Sequence, residues 1–180
     1  TDGTATGWSD TTVDQSGTEL GDFLGRFGGT NGDQGVYKTY NLGVQYAGET
    51  VEISFDMYEI DSWDNESFKV FVNDLEVIDD EMDEATTTGV ATAFHEKHQY
   101  TFQATVDSNG QVKLGFGSTL NETIDDESWG IDNVKIVHVK QWDAKVIDNE
   151  SGVSAILTNA VGVSVNGNNI TKTAGTTAWD

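Results

Sequence analysis

Residues 51 to 60, Val-Glu-Ile-Ser-Phe-Asp-Met-Tyr-Glu-Ile, alternate through their first seven places, with Val51, Ile53, Phe55 and Met57 opposed to Glu52, Ser54 and Asp56. Successive side chains of an extended chain point to opposite faces, so this spacing predicts a half-buried strand. Phe68 to Val72 repeats the pattern, Asn73-Asp74 supplies a turn, and Leu75 to Ile78 returns, which predicts a hairpin. Gln99 to Val106 and Gln111 to Leu120 predict a second hairpin, joined by Asp107-Ser-Asn-Gly110, whose Asn-Gly step suits positive φ. Trp129 to Val139 begins with a Gly-Ile-Asp-Asn segment and continues as a β-branched strand, and residues 141 to 172 suggest two or three weaker strands.

Short apolar runs divided by Gly, Thr, Asn and Asp predict an all-β chain, folded as an antiparallel β-sandwich. Its 180 residues suffice for one buried core, with no repeat period and no proline-rich linker, so a single ligand-binding domain over residues 1–180 is expected. Residues 174–180 read as a Gly/Thr-rich tail that ends in Trp179-Asp180.

Charge narrows the partners. The formal net charge is -22, from 31 acidic and 9 basic residues, which repels nucleic acid and anionic membrane surfaces alike. No stretch approaches the roughly 18 apolar residues that a membrane helix needs, and the first ten residues lack signal-peptide blocks, so a soluble fragment of something larger is expected. With no cysteine, neither disulfides nor thiolate zinc sites stabilise the chain, and its self-repulsion is offset by divalent cations, by adaptation of the surface to salt water, or by both.

Two loops concentrate hard oxygen donors. Asp61-Ser-Trp-Asp64-Asn-Glu66 falls between the strand ending near Ile60 and that beginning at Phe68, and Asp125-Asp126-Glu127-Ser-Trp-Gly-Ile-Asp132-Asn133 leads into the strand after Trp129. Calcium takes six to eight oxygens at about 2.3–2.6 Å, and irregular loops at strand boundaries let side chains and carbonyls converge as a helix cannot. The fold class is therefore an antiparallel β-sandwich with calcium-binding loops, and Ca²⁺ is the expected cofactor. Asp79 to Glu84 is instead a like-charged run, five carboxylates in six residues, that reads as a solvated loop. A single imperfect match to the calcium β-roll nonapeptide, over residues 28 to 33, makes no repeat.

Catalytic arrangements are not assembled in the sequence. Glu59-x-Asp61 is similar to the start of a laminarinase-type carboxylate signature, but Trp63 occupies the strand-face position that the third carboxylate needs. His95-Glu-Lys-His98 spaces its histidines three apart, where the helical zinc-protease motif needs four, and they read as surface histidines. No enzyme is expected.

With Phe23-Leu-Gly-Arg-Phe27, Ile60-Asp-Ser-Trp-Asp-Asn-Glu66 and Glu127-Ser-Trp-Gly-Ile-Asp-Asn-Val134 in view, the chain resembles the calcium-dependent peptide-binding domains of large bacterial RTX adhesins, over roughly residues 20 to 140. The resemblance implies a secreted, extracellular module on the bacterial cell surface, active in cell adhesion and biofilm formation. Its partners would be short peptides or protein C-termini on host or microbial cells, gripped by the free carboxylate. It further implies Asp61, Asp64, Glu66, Asp126, Glu127, Asp132 and Asn133 as metal ligands. Trp63, Asp125 and Trp129 would lie at the ligand, the tryptophans either stacking on it or plugging the core beneath the loops. Trp179 and Asp180 would mimic such a ligand in a neighbour's site. A glycan-binding, lectin-like module and a structural spacer are the alternatives.

Overall fold

The computed structural model describes residues 5–15, 20–29, 35–83 and 95–139, and the backbone of four further strands between residues 144 and 172. The chain divides into two compact units, Thr1–Val139 and Lys140–Asp180. The first is the β-sandwich, so the sandwich expected over the whole chain is confined to residues before Lys140. In the second, Ala144–Asn149 pairs with Gly152–Leu157 and Val163–Asn166 with Asn169–Lys172, two antiparallel hairpins where weaker strands were expected. The tail residues Trp179 and Asp180 lie outside the described residues.

Nine strands form the sandwich: β1 (Val13–Asp14), β2 (Phe23–Gly28), β3 (Val36–Asn41), β4 (Thr50–Asp61), β5 (Glu66–Val72), β6 (Leu75–Met82), β7 (His95–Thr105), β8 (Gln111–Ser118) and β9 (Glu127–His138). One sheet has the order β1-β2-β9-β4-β7 and the other β3-β8-β5-β6, and every pairing is antiparallel. The predicted alternation of β4 holds, since Val51, Ile53, Phe55 and Met57 all enter the core. They meet Phe68, Val70 and Val72 of β5 and Val112, Leu114 and Phe116 of β8, with Phe55 stacked on Tyr100 and edge-on to Phe116.

Two sequence expectations are corrected. Residues Gln99 to Val106 and Gln111 to Leu120 are not a hairpin, because β7 pairs with β4 while β8 pairs with β3 and β5. Asp107 Oδ1 accepts the backbone N–H groups of Asn109 and Gln111, and Gly110 takes φ 75°, so the turn carries the chain from one sheet to the other. Asp79 to Met82 is likewise not loop but the end of β6, where Lys69 donates to Asp79 and the Tyr100 hydroxyl donates to Asp80. Neighbouring cations and hydroxyls relieve a carboxylate run that looks self-repelling in sequence. The β5–β6 turn at Asn73-Asp74 is as predicted, with φ 51° and 66°.

The strand phase places charge inside one end of the sandwich. Continuing the inward alternation past the apolar residues brings Glu59 inward on β4, Glu66 on β5, Glu127 on β9 and His98 on β7, with Glu96 on the same face of β7 but exposed at its end. These positions gather where β4 ends and β7 and β9 begin, since Ile60 faces His95 and Asp61 faces Glu127 in the sheet register.

Candidate functional site

The loop between β4 and β5 is pinned from below. Asp61 and Asn65 adopt φ 69° and 85°, turning the chain sharply, and the intervening Trp63 drops into the core with no exposed surface. Its indole N–H donates to the Ser128 carbonyl at 3.1 Å, while the Ser62 N–H donates to the Asp126 carbonyl at 3.2 Å. The two acidic loops, more than sixty residues apart, are thereby held side by side.

Above Trp63, Asp64, Glu66 and Glu127 each bring a carboxylate oxygen within 4.8 Å of the others. Glu66 is buried and bonded through both oxygens, accepting from the Asp64 N–H at 2.7 Å and from Asn121 Nδ2 at 2.8 Å. Glu127 is fully buried, and neither of its oxygens has a hydrogen-bond partner among the described residues. Burial pushes its pKa up to about 7, and the charges of Glu66, Glu122, Asp64 and Asp126 push the same way. Glu122, hydrogen-bonded to Asp126, is also held above its ordinary value, so acidity is crowded across the whole rim.

A buried carboxylate without a donor is costly, and two further carboxylates with oxygens within 4.8 Å compound the cost. Such a cluster can hold a metal ion: a divalent cation would supply the missing partner for Glu127 and neutralise its neighbours in one step. The donors are all hard oxygens, and Asp64 is exposed, leaving one side of the cluster open to solvent. Fit and access therefore agree.

Among the seven ligands that the resemblance implied, Asp64, Glu66 and Glu127 come together, and Asp126 stands at their rim. Asp61 turns to Arg26, whose Nη1 lies 3.4 Å from its Oδ2 and whose Nε donates to Asp14 at 2.9 Å. Burial raises the Asp61 pKa above its ordinary value, with Arg26 opposing the rise and Asp126 and Asp125 reinforcing it. Asp132 and Asn133 do not join the cluster. They lie farther along β9 than Glu127, and Asp132 faces Asp56 across the sheet. The register shifts between Ser54 and Asp56, opposite Asn133 at φ 53°, and this bulge aims Asn133 Nδ2 at Asp56 Oδ2, 2.7 Å away.

Trp63 and Trp129 both have no exposed surface, which decides between their two roles: they plug the core and do not stack on a ligand. Trp129 donates its indole N–H to Ser118 Oγ at 3.0 Å and packs on Phe27 and Phe68. Asp125 remains exposed on the loop beside Asp61.

Sequence reasoning missed Asn121 and Glu122, which precede the second loop by only a few residues and bring an amide and a carboxylate to it. Their signal was continuity, because Asn121 to Glu127 is polar at every position but Ile124 and follows directly on Leu120. It also missed the bond between His98 Nε2 and Glu59 Oε2, 2.7 Å, which no local pattern encodes because the two residues lie on different strands.

No family model matches the chain, and no curated protein matches its sequence. Among solved structures the chain is similar to dimeric latent PorU from Porphyromonas gingivalis, with TM-score 0.47 and 7% identity over 64% of this chain. That match spans only 10% of PorU. It is similar also to the CBM22-1 xylan-binding domain from Paenibacillus barcinonensis Xyn10C, with TM-score 0.43 and 18% identity, covering 77% of this chain and 90% of that one. A CBM4 structure matches with TM-score 0.39 and 13% identity, covering 74% of this chain and 95% of that one.

Proposed function

We propose that this chain is a calcium-dependent binding module of a bacterial surface adhesin, whose ion is held by Asp64, Glu66 and Glu127 and helps to grip the free carboxylate of a peptide. The observation that carries the reading is Glu127, a fully buried carboxylate with two unpartnered oxygens beside two other carboxylates. Calcium suits this donor set, since it prefers several hard oxygens and tolerates irregular geometry. Three side chains fall short of its usual six to eight ligands. The remaining positions, on the exposed Asp64 side, are open to water or to an incoming carboxylate. An ion there offsets most of the cluster's negative charge and offers an incoming carboxylate a direct bond to the metal, which is what an acidic domain needs in order to bind an anionic group.

Isothermal titration with a short peptide ending in a free carboxylate tests the reading. Heat in calcium, lost in chelator and lost on amidating the peptide C-terminus, supports it. Calcium binding without any peptide heat removes the peptide and leaves a calcium-stabilised domain with another ligand.

One observation favours a glycan as that other ligand. On the outer face of the four-stranded sheet a cavity of about 380 Å³ is lined by Tyr37 and Phe71 over Gly115 and Gly117, with Lys69 and Lys113 at its sides. Tyr37 is half exposed, and its ring lies 4.8 Å from Lys113 Nζ. An aromatic wall over a floor without side chains accommodates a sugar ring. A glycan array read with Tyr37→Ala as control separates the two ligands.

A further inference from the structure

The His95-Glu-Lys-His98 segment begins β7, and strand alternation sends Glu96 and His98 to the same face as Glu59 of the neighbouring β4. Each of the three brings a ligand atom within 4.8 Å of the others. Glu59 is 2% exposed; its Oε2 lies 2.7 Å from His98 Nε2, and its Oε1 is buried with no hydrogen-bond partner among the described residues. An ion pair with His98 therefore accounts for half of this carboxylate and leaves the other half unexplained. Glu96 is exposed and His98 only partly buried, so the cluster opens outward on that side.

We propose that Glu59, Glu96 and His98 form a second cation site, selective for a divalent transition-metal ion of the zinc class. The donor set is one imidazole nitrogen and two carboxylate oxygens, which suits zinc or a similar borderline ion and not calcium, whose ligands are oxygens alone. Three protein ligands with an open fourth position is a normal zinc arrangement. The ion replaces the proton between His98 Nε2 and Glu59 Oε2, since imidazole ligates only when that nitrogen is unprotonated. With Glu59 bidentate, Oε1, turned from water, gains the partner it lacks. This site shares no ligand with Asp64, Glu66 and Glu127, and the inference does not rest on the calcium reading.

The test is a Zn²⁺ titration of the full chain with Ca²⁺ in large excess, repeated with Co²⁺ to read its visible absorption. Saturable binding of a single equivalent is expected, with Co²⁺ bands typical of mixed nitrogen and oxygen ligands and a shift of the His98 ring resonances. His98→Gln should abolish the Co²⁺ signal. Glu96→Gln, at the exposed end where folding is not at stake, removes a ligand and should weaken binding by at least the roughly tenfold to hundredfold that loss of an outer-shell partner costs. Absence of saturable Zn²⁺ binding overturns the proposal, as does affinity unchanged in both variants. Displacement of Zn²⁺ by excess Ca²⁺ also overturns it, since it puts the ion in the oxygen-only cluster.

Discussion

Trp63 donates its indole N–H to the backbone carbonyl of Ser128 at 3.1 Å, joining the β4–β5 loop to the start of β9, 65 positions along the chain. One residue on each side of this bond, Asp64 and Glu127 supply two of the three clustered carboxylates. The core plug and the candidate metal centre are thus one mechanical unit.

Trp63→Phe keeps an aromatic ring but removes the donor and part of the volume, leaving the Ser128 carbonyl without it. A loss of about 2 kcal/mol or more is expected, from the hydrogen bond and the cavity together. Urea unfolding in chelator measures it. Calcium affinity should fall as well, because the loop bearing Asp64 is no longer fixed to the strand bearing Glu127.

Glu127→Gln should reverse the order of stability between two buffers. In chelator at pH 8 the variant melts above the parent chain, because a neutral amide replaces a buried, uncompensated charge. In saturating calcium it melts below, having lost a ligand and with it the stabilisation that binding confers, about 2.7 kcal/mol at a hundredfold excess over Kd. Thermal unfolding of both proteins in both buffers reads this crossing. A variant less stable in both buffers would mean that Glu127 has a partner in the ion-free chain.

Acidity should act on the same residue. The folded chain holds the Glu127 proton up to about pH 7, whereas its ordinary value is 4.5. Its favourable contribution in chelator is therefore complete below about pH 4.5 and is lost as pH rises through about 7. Calcium and that proton compete, so calcium affinity should fall between pH 8 and pH 6, with proton uptake on release of the ion. Calcium titrations in two buffers of different ionisation enthalpy count the proton.

Asn133→Ala separates the bulge from the metal cluster. Asn133 Nδ2 donates to the buried Asp56, which also accepts from Gln99 and pairs with Lys97 at 2.7 Å. Burial opposes the Asp56 charge, but these hydrogen bonds from Lys97, Asn133 and Gln99 prevail and hold its pKa low. Removing one of them from a backbone position at φ 53° should cost about 1–3 kcal/mol. Calcium affinity should stay within about twofold, since Asn133 bonds to Asp56, which shares no member with the cluster of Asp64, Glu66 and Glu127. A large loss of calcium affinity would restore Asn133 to the ligand set.

Strand identity was legible wherever alternation met an apolar core, as at Val51, Ile53, Phe55 and Met57, because period-two burial is a local property. The same local rule misjudged the pairing of β7 with β8, because a turn signal such as Asn109-Gly110 reports reversal of the chain and not which sheet receives it. Asp64, Glu66 and Glu127 were legible as acidic residues at strand boundaries, and the structure puts Glu66 at the start of β5 and Glu127 at the start of β9. Asp132 and Asn133 were read with them because they follow in sequence, but a bulge opposite Asp56 turned them to another group.

By itself the sequence determined an acidic all-β chain with carboxylates massed at strand boundaries, since composition and alternation act residue by residue. Only the tertiary structure decided which carboxylates share a site and which find other partners. That depends on register and strand phase: Glu59 meets His98, Asp61 meets Arg26, and Glu127 is buried beside Glu66 with no donor among the described residues. Contacts between distant strands are set by the packing of the two sheets around Trp63 and Trp129, and no spacing along the chain records them.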